Sequence, residues 1–98
     1  MTTREFVEAV DRGGPPPETL PALLRALWAD RQGDWDLAHR ITQKEEGRDA
    51  AWVHAYLHRK EGDPGNARYW YHRAGRQEAR AALEAEWEEA SAHLLQSA

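Results

Sequence analysis

Two stretches of this 98-residue chain read as the same helix–turn–helix unit. Ala26 to Ala38 aligns with Ala55 to Ala67 at an offset of 29 residues, with identities at Ala26/Ala55, Gly33/Gly62, Asp34/Asp63 and Ala38/Ala67. A fixed offset between similar helical pairs is the mark of a stacked α-repeat. Each unit of such a stack buries its apolar face only against a neighbour, and folds of this kind mostly bind other molecules. The expected architecture is therefore all-α: two stacked antiparallel helix pairs over 19–75, an N-terminal helix over 1–12, a Gly/Pro linker over 13–18 and an acidic C-terminal capping helix over 76–98.

Local signals place the helices. Thr2 and Glu5 have the spacing of a capping box, and Phe6 and Val10 share one face of the first helix. Gly13-Gly14-Pro15-Pro16-Pro17 ends that helix in a semi-rigid connector, so the helix either swings free or docks elsewhere. The next helix is expected over 19–31 with Thr19 as N-cap and an apolar stripe of Leu20, Leu23, Leu24, Leu27 and Trp28. Asp34 is placed to cap the following helix, and Gly47 to stop it. A third repeat helix is expected over 49–60. Asp63-Pro64 then starts another, an N-cap carboxylate followed by proline in the first turn. Ala67, Trp70, Tyr71 and Ala74 share a face of that helix, and Gly75 closes it. The last helix is expected over 77–95 with Leu83, Trp87, Ala90 and Leu94 inward and a row of glutamates outward. No strand pattern occurs.

Composition removes whole classes of function. The chain has no cysteine, so thiol catalysis, disulfides and thiolate metal sites are excluded, and a reducing cytoplasmic setting is the expectation. No uncharged stretch is long enough to span a bilayer, and no secretory signal is read at the N-terminus. The net charge of −4 argues against a nucleic-acid partner. Charge is unevenly spread: residues 51–76 carry five Arg/Lys against two Asp/Glu, and 77–98 one Arg against five Glu. The economical reading is that the acidic tail lies against the basic segment. No serine sits in a nucleophile motif, no glycine pattern suits phosphate, and no cofactor is expected.

The second unit resembles a tetratricopeptide repeat. Ala55 takes the small site of the first helix, and Ala67, Tyr71 and Ala74 take the small–aromatic–small series of the second. The first unit keeps Ala26, Gly33 and Ala38 but has Thr42 where the aromatic belongs. The resemblance implies a protein- or peptide-interaction module rather than an enzyme. The run from Trp52 to Asp63, with Asn66-Ala67-Arg68-Tyr69-Trp70-Tyr71, is also similar to a group of short bacterial proteins with no assigned activity.

In stacked repeats the first helix of each pair lines the concave face. That places Trp52, Tyr56, Arg59 and Lys60 where an extended or acidic segment would lie, with Asn66 and Arg73 on the following helix as further contacts. The partner expected is an unidentified protein or peptide, and self-association through the end faces is open. His54 and His58, one helical turn apart, are the alternative: a metal or small-ligand site into which Glu61 and His72 would be drawn. They lack the glutamate that follows the first histidine of a zincin motif. The favoured reading is two packed or hydrogen-bonded core histidines and no metal dependence.

Overall fold

The computed structural model describes residues 1–97. These residues form helices α1 (Thr3–Asp11), α2 (Ala22–Arg31), α3 (Trp35–Gln43), α4 (Arg48–Glu61), α5 (Pro64–Ala74) and α6 (Leu83–Ser97), and no strand. The chain is all-α, as its periodicity requires. The described helices include none long and apolar enough to cross a membrane.

Short-range chemistry sets the turns. Gly33 and Gly62 both stand at φ +88°, a left-handed conformation that a Cβ makes costly. At the first turn, Gly33 N–H donates to Asp30 O and Asp34 N–H to Ala29 O. At the second, Gly62 N–H donates to Arg59 O and Asp63 N–H to His58 O. Both are Schellman closures. The aspartate after each glycine then caps the next helix: Asp34 accepts from Leu37 N–H and Asp63 from Asn66 N–H. The returning helix packs on the one before it, so α2 lies against α3 and α4 against α5.

Three boundaries differ from the sequence expectation. Helix α2 starts at Ala22 with Pro21, not Thr19, at the N-cap. Helix α3 ends at Gln43, so Gly47 does not stop it; Gly47 is instead the N-cap of α4. Helix α6 starts at Leu83 rather than near 77. The segment before it is held in irregular form: the Arg59 guanidinium donates to Ala81 O, and Arg68 pairs with Glu78.

The first helix docks. Its capping box is formed in both directions between Thr2 and Glu5. Phe6 is fully buried, stacked on Trp87 at 5.7 Å and edge-on to Trp28 at 6.0 Å. Arg31 grips Asp11 through two N–H donors, at 3.0 and 3.3 Å, which ties α2 to the end of α1. The linker is pinned as well, since Trp28 Nε1 and Gln32 Nε2 both donate to Gly14 O. Helix α6 closes the other side, where Trp87 Nε1 donates to Leu27 O. Truncating Phe6 removes one ring of this aromatic cluster. Phe6→Ala is expected to cost about 3–5 kcal/mol in chemical denaturation, and Gly62→Ala about 1–2 kcal/mol through backbone strain alone.

Candidate functional site

Helix α4 is buried without interruption from Ala50 to His58. A helix buried on every side has no face to offer a partner. Trp52 and Tyr56, placed by the sequence on an open concave face, each retain only 2% of their surface. That placement is corrected by α6 and α2, which cover the face and answer its polar groups from within the chain.

Two buried carboxylates do the covering. Glu86, on α6, is 2% exposed and accepts from Trp52 Nε1 at 3.1 Å, Tyr71 Oη at 2.6 Å and Arg59 Nη1 at 2.8 Å. Asp30, on α2, is 1% exposed and accepts from Tyr56 Oη at 2.8 Å and Lys60 Nζ at 2.9 Å. Burial, together with the adjacent carboxylates, raises the ionisation of both phenols above the ordinary tyrosine range, so they remain donors. Arg59 and Lys60, assigned by the sequence to an acidic partner, pair with acids of their own chain. The expectation that all the α6 glutamates face outward fails at Glu86 alone among Glu84, Glu86, Glu88 and Glu89.

The basic and aromatic surface that remains lies on α5. Arg68, Tyr69, His72 and Arg73 are exposed and Asn66 is half-buried. Arg73 donates to Tyr69 Oη at 3.0 Å, and its guanidinium stands 5.6 Å from the Trp70 ring and 5.8 Å from that of Tyr69. An open cleft adjoins, and its lining includes Trp70, Arg73, Arg48, His54, Glu45 and Glu46.

His54 and His58 are buried, as favoured, yet they are not alone. His39 from α3 reaches over α4, and its Nε2 stands 3.0 Å from His54 Nε2, one donating to the other. One ring nitrogen from each of His39, His54 and His58 lies within 4.8 Å of the others. His58 Nδ1 bonds the Glu61 carboxylate at 2.6 Å. Trp35 stacks on His39 at 4.8 Å and Trp70 on His54 at 3.9 Å. Trp35 is itself fixed by donating to Leu57 O. Burial pushes the His54 imidazole down to about 4, with the neighbouring His58 and His39 adding to it, and burial lowers His39 as well. Glu61 joins the cluster as the sequence allowed. His72, named with it, is exposed and outside the cluster. His39 was missed, because nothing in its own helix marks it.

Comparison of the chain with known protein families, with curated proteins and with solved structures gives no match.

Two outcomes follow from this geometry. Glu86→Ala leaves the Arg59 charge and two buried donors without their acceptor, and it should cost about 3–5 kcal/mol in denaturant unfolding. The second concerns pH. The folded state holds His54 neutral to about 4, whereas the unfolded chain protonates it near 6.5. Below 6.5 the unfolded state therefore binds the extra proton, and stability falls as pH drops towards 4, with no further loss from this group below that. Comparing His54→Gln with the parent chain isolates the effect: the variant should lose less stability over that window.

Proposed function

We propose that the chain is a non-enzymatic interaction module of tetratricopeptide-repeat-like type, binding an acidic segment of another protein along the exposed side of α5. The observation that carries this reading is the composition of that helix. From Pro64 to Ala74 it contains no Asp or Glu, and it turns Arg68, Tyr69, His72 and Arg73 to solvent. Tyr69 keeps 52% of its surface, unlike the other large rings. An aromatic ring beside an arginine suits a partner that brings carboxylates on an extended or helical segment. Asn66 and Arg73, expected as secondary contacts, thereby become primary ones, while Trp52, Tyr56, Arg59 and Lys60 support the helix from beneath. Repeat-like assembly is supported by the matched Gly-Asp turns and by the two packed pairs, α2–α3 and α4–α5.

A fluorescein-labelled glutamate-rich peptide tests the reading by anisotropy. Binding should weaken as salt rises, because exposed charges supply part of it. Arg73→Glu should lower affinity roughly tenfold or more by removing a charge-assisted contact, with Tyr69→Ala acting in the same direction. Arg4→Ala, on α1, should change nothing. Absence of binding, or equal binding by Arg73→Glu, would count against the α5 surface.

A further inference from the structure

We propose that His39, His54 and His58 form a binding site for one divalent transition-metal ion of the zinc class, with Glu61 orienting His58. The site adjoins the α5 surface through Trp70 but does not rest on the reading of that surface, and zinc affinity tests it where peptide affinity tests the other.

Convergence is the first argument. Three imidazoles from two helices bring one ring nitrogen each to a common point, two of them at 3.0 Å and all within 4.8 Å. Zinc–nitrogen bonds of about 2.0–2.1 Å in tetrahedral array separate the nitrogens by roughly 3.4 Å, so movements of about an ångström close the set.

Protonation is the second. A metal needs the imidazole lone pair, and a hydrogen bond between the His39 and His54 rings requires one of the two Nε2 atoms to present it. In the metal-free pair one Nε2 carries the proton and the other accepts it. Binding through both Nε2 atoms moves that proton to the donor ring's Nδ1, so neither imidazole has to give up a net proton.

The third argument is the support around the ligands. Glu61 bonds Nδ1 of His58, which leaves Nε2 of that ring as the nitrogen with a free lone pair. A carboxylate behind a ligating histidine fixes its tautomer and strengthens it as a donor. Trp35 and Trp70 stack on the faces of His39 and His54, whereas the lone pairs lie in the ring planes, so the tryptophans hold the rings and leave the ligand edges free. His39 is only half-buried, which leaves an approach from solvent. Three nitrogen donors suit zinc, copper or nickel ions and not magnesium or calcium, which prefer oxygen.

In the sequence the His54/His58 pair reads as core, because both fall on the face that packs against the helix beginning at Asp63 and no zincin glutamate follows His54. The third is fifteen residues away on α3, and only the packing of α3 on α4 delivers it.

The test is a zinc titration of the full metal-stripped chain, followed by calorimetry and by thermal melting. One zinc per chain should bind saturably, and the melting temperature should rise with zinc and return with chelator. His39→Gln, altered at the half-buried position so that the core is spared, should abolish saturable binding while circular dichroism stays helical. Glu61→Ala should weaken zinc about 10–100-fold, whereas Glu61→Gln, whose amide oxygen still accepts from Nδ1, should stay within a few-fold of the parent. Cobalt(II) substitution should give the visible absorption of a low-coordinate nitrogen site. Failure of the parent chain to bind zinc, or equal affinity in His39→Gln, would overturn the site. A loss in Glu61→Gln as large as in Glu61→Ala would overturn the orienting role and make Glu61 a direct ligand.

Discussion

A helix buried around its whole circumference must have every polar side chain answered by a neighbour, and α4 is such a helix. Its nine consecutive buried residues include Trp52, His54, Tyr56 and His58. An unpaired buried donor costs as much as a lost hydrogen bond, so each of these four dictates what stands opposite it. Trp52 requires Glu86, Tyr56 requires Asp30, His54 meets His39 and His58 meets Glu61. The positions of α2, α3 and α6 follow from those pairings as much as from apolar area. Among the described residues, Ser91 Oγ is the one fully buried side-chain polar atom left without a partner.

The same pairings divide the molecule into two sides. On one side, the acids of α2 and α6 neutralise the basic end of α4, and the aromatic cluster of Phe6, Trp28 and Trp87 seals the joint. Charge that looked available for a partner is used internally. On the other side, α3 and α5 flank α4, and the histidines, Trp35 and Trp70 line the space between them.

What the sequence made legible was local. Asp34 and Asp63 cap helices, Gly62 closes one, and Thr2 with Glu5 opens another, because each of these contacts spans only a few residues. The inward positions Phe6, Val10, Trp87, Ala90 and Leu94 were legible too, from periodicity. What was not legible depended on distant partners. Glu86 sits in a glutamate-rich helix whose pattern reads as solvated. Its burial is decided by Trp52 and Arg59, 34 and 27 residues away. The charge imbalance between 51–76 and 77–98 points to the acidic tail lying against the basic segment, as Arg59–Glu86 and Arg68–Glu78 do, but not to α6 covering the α4 face, which a repeat leaves open. His39 was invisible for the same reason: its role exists only once α3 lies on α4.

The histidine cluster is where the structure departs most from its sequence reading, since a pair suited to core packing becomes a set of three converging donors. Anomalous diffraction from a crystal grown with zinc, recorded on either side of the zinc absorption edge, interrogates it most directly. The account predicts one anomalous peak bonded to His39, His54 and His58, with Glu61 retained on His58 Nδ1. The contradicting result is no peak there, with His39 and His54 still joined by their own hydrogen bond.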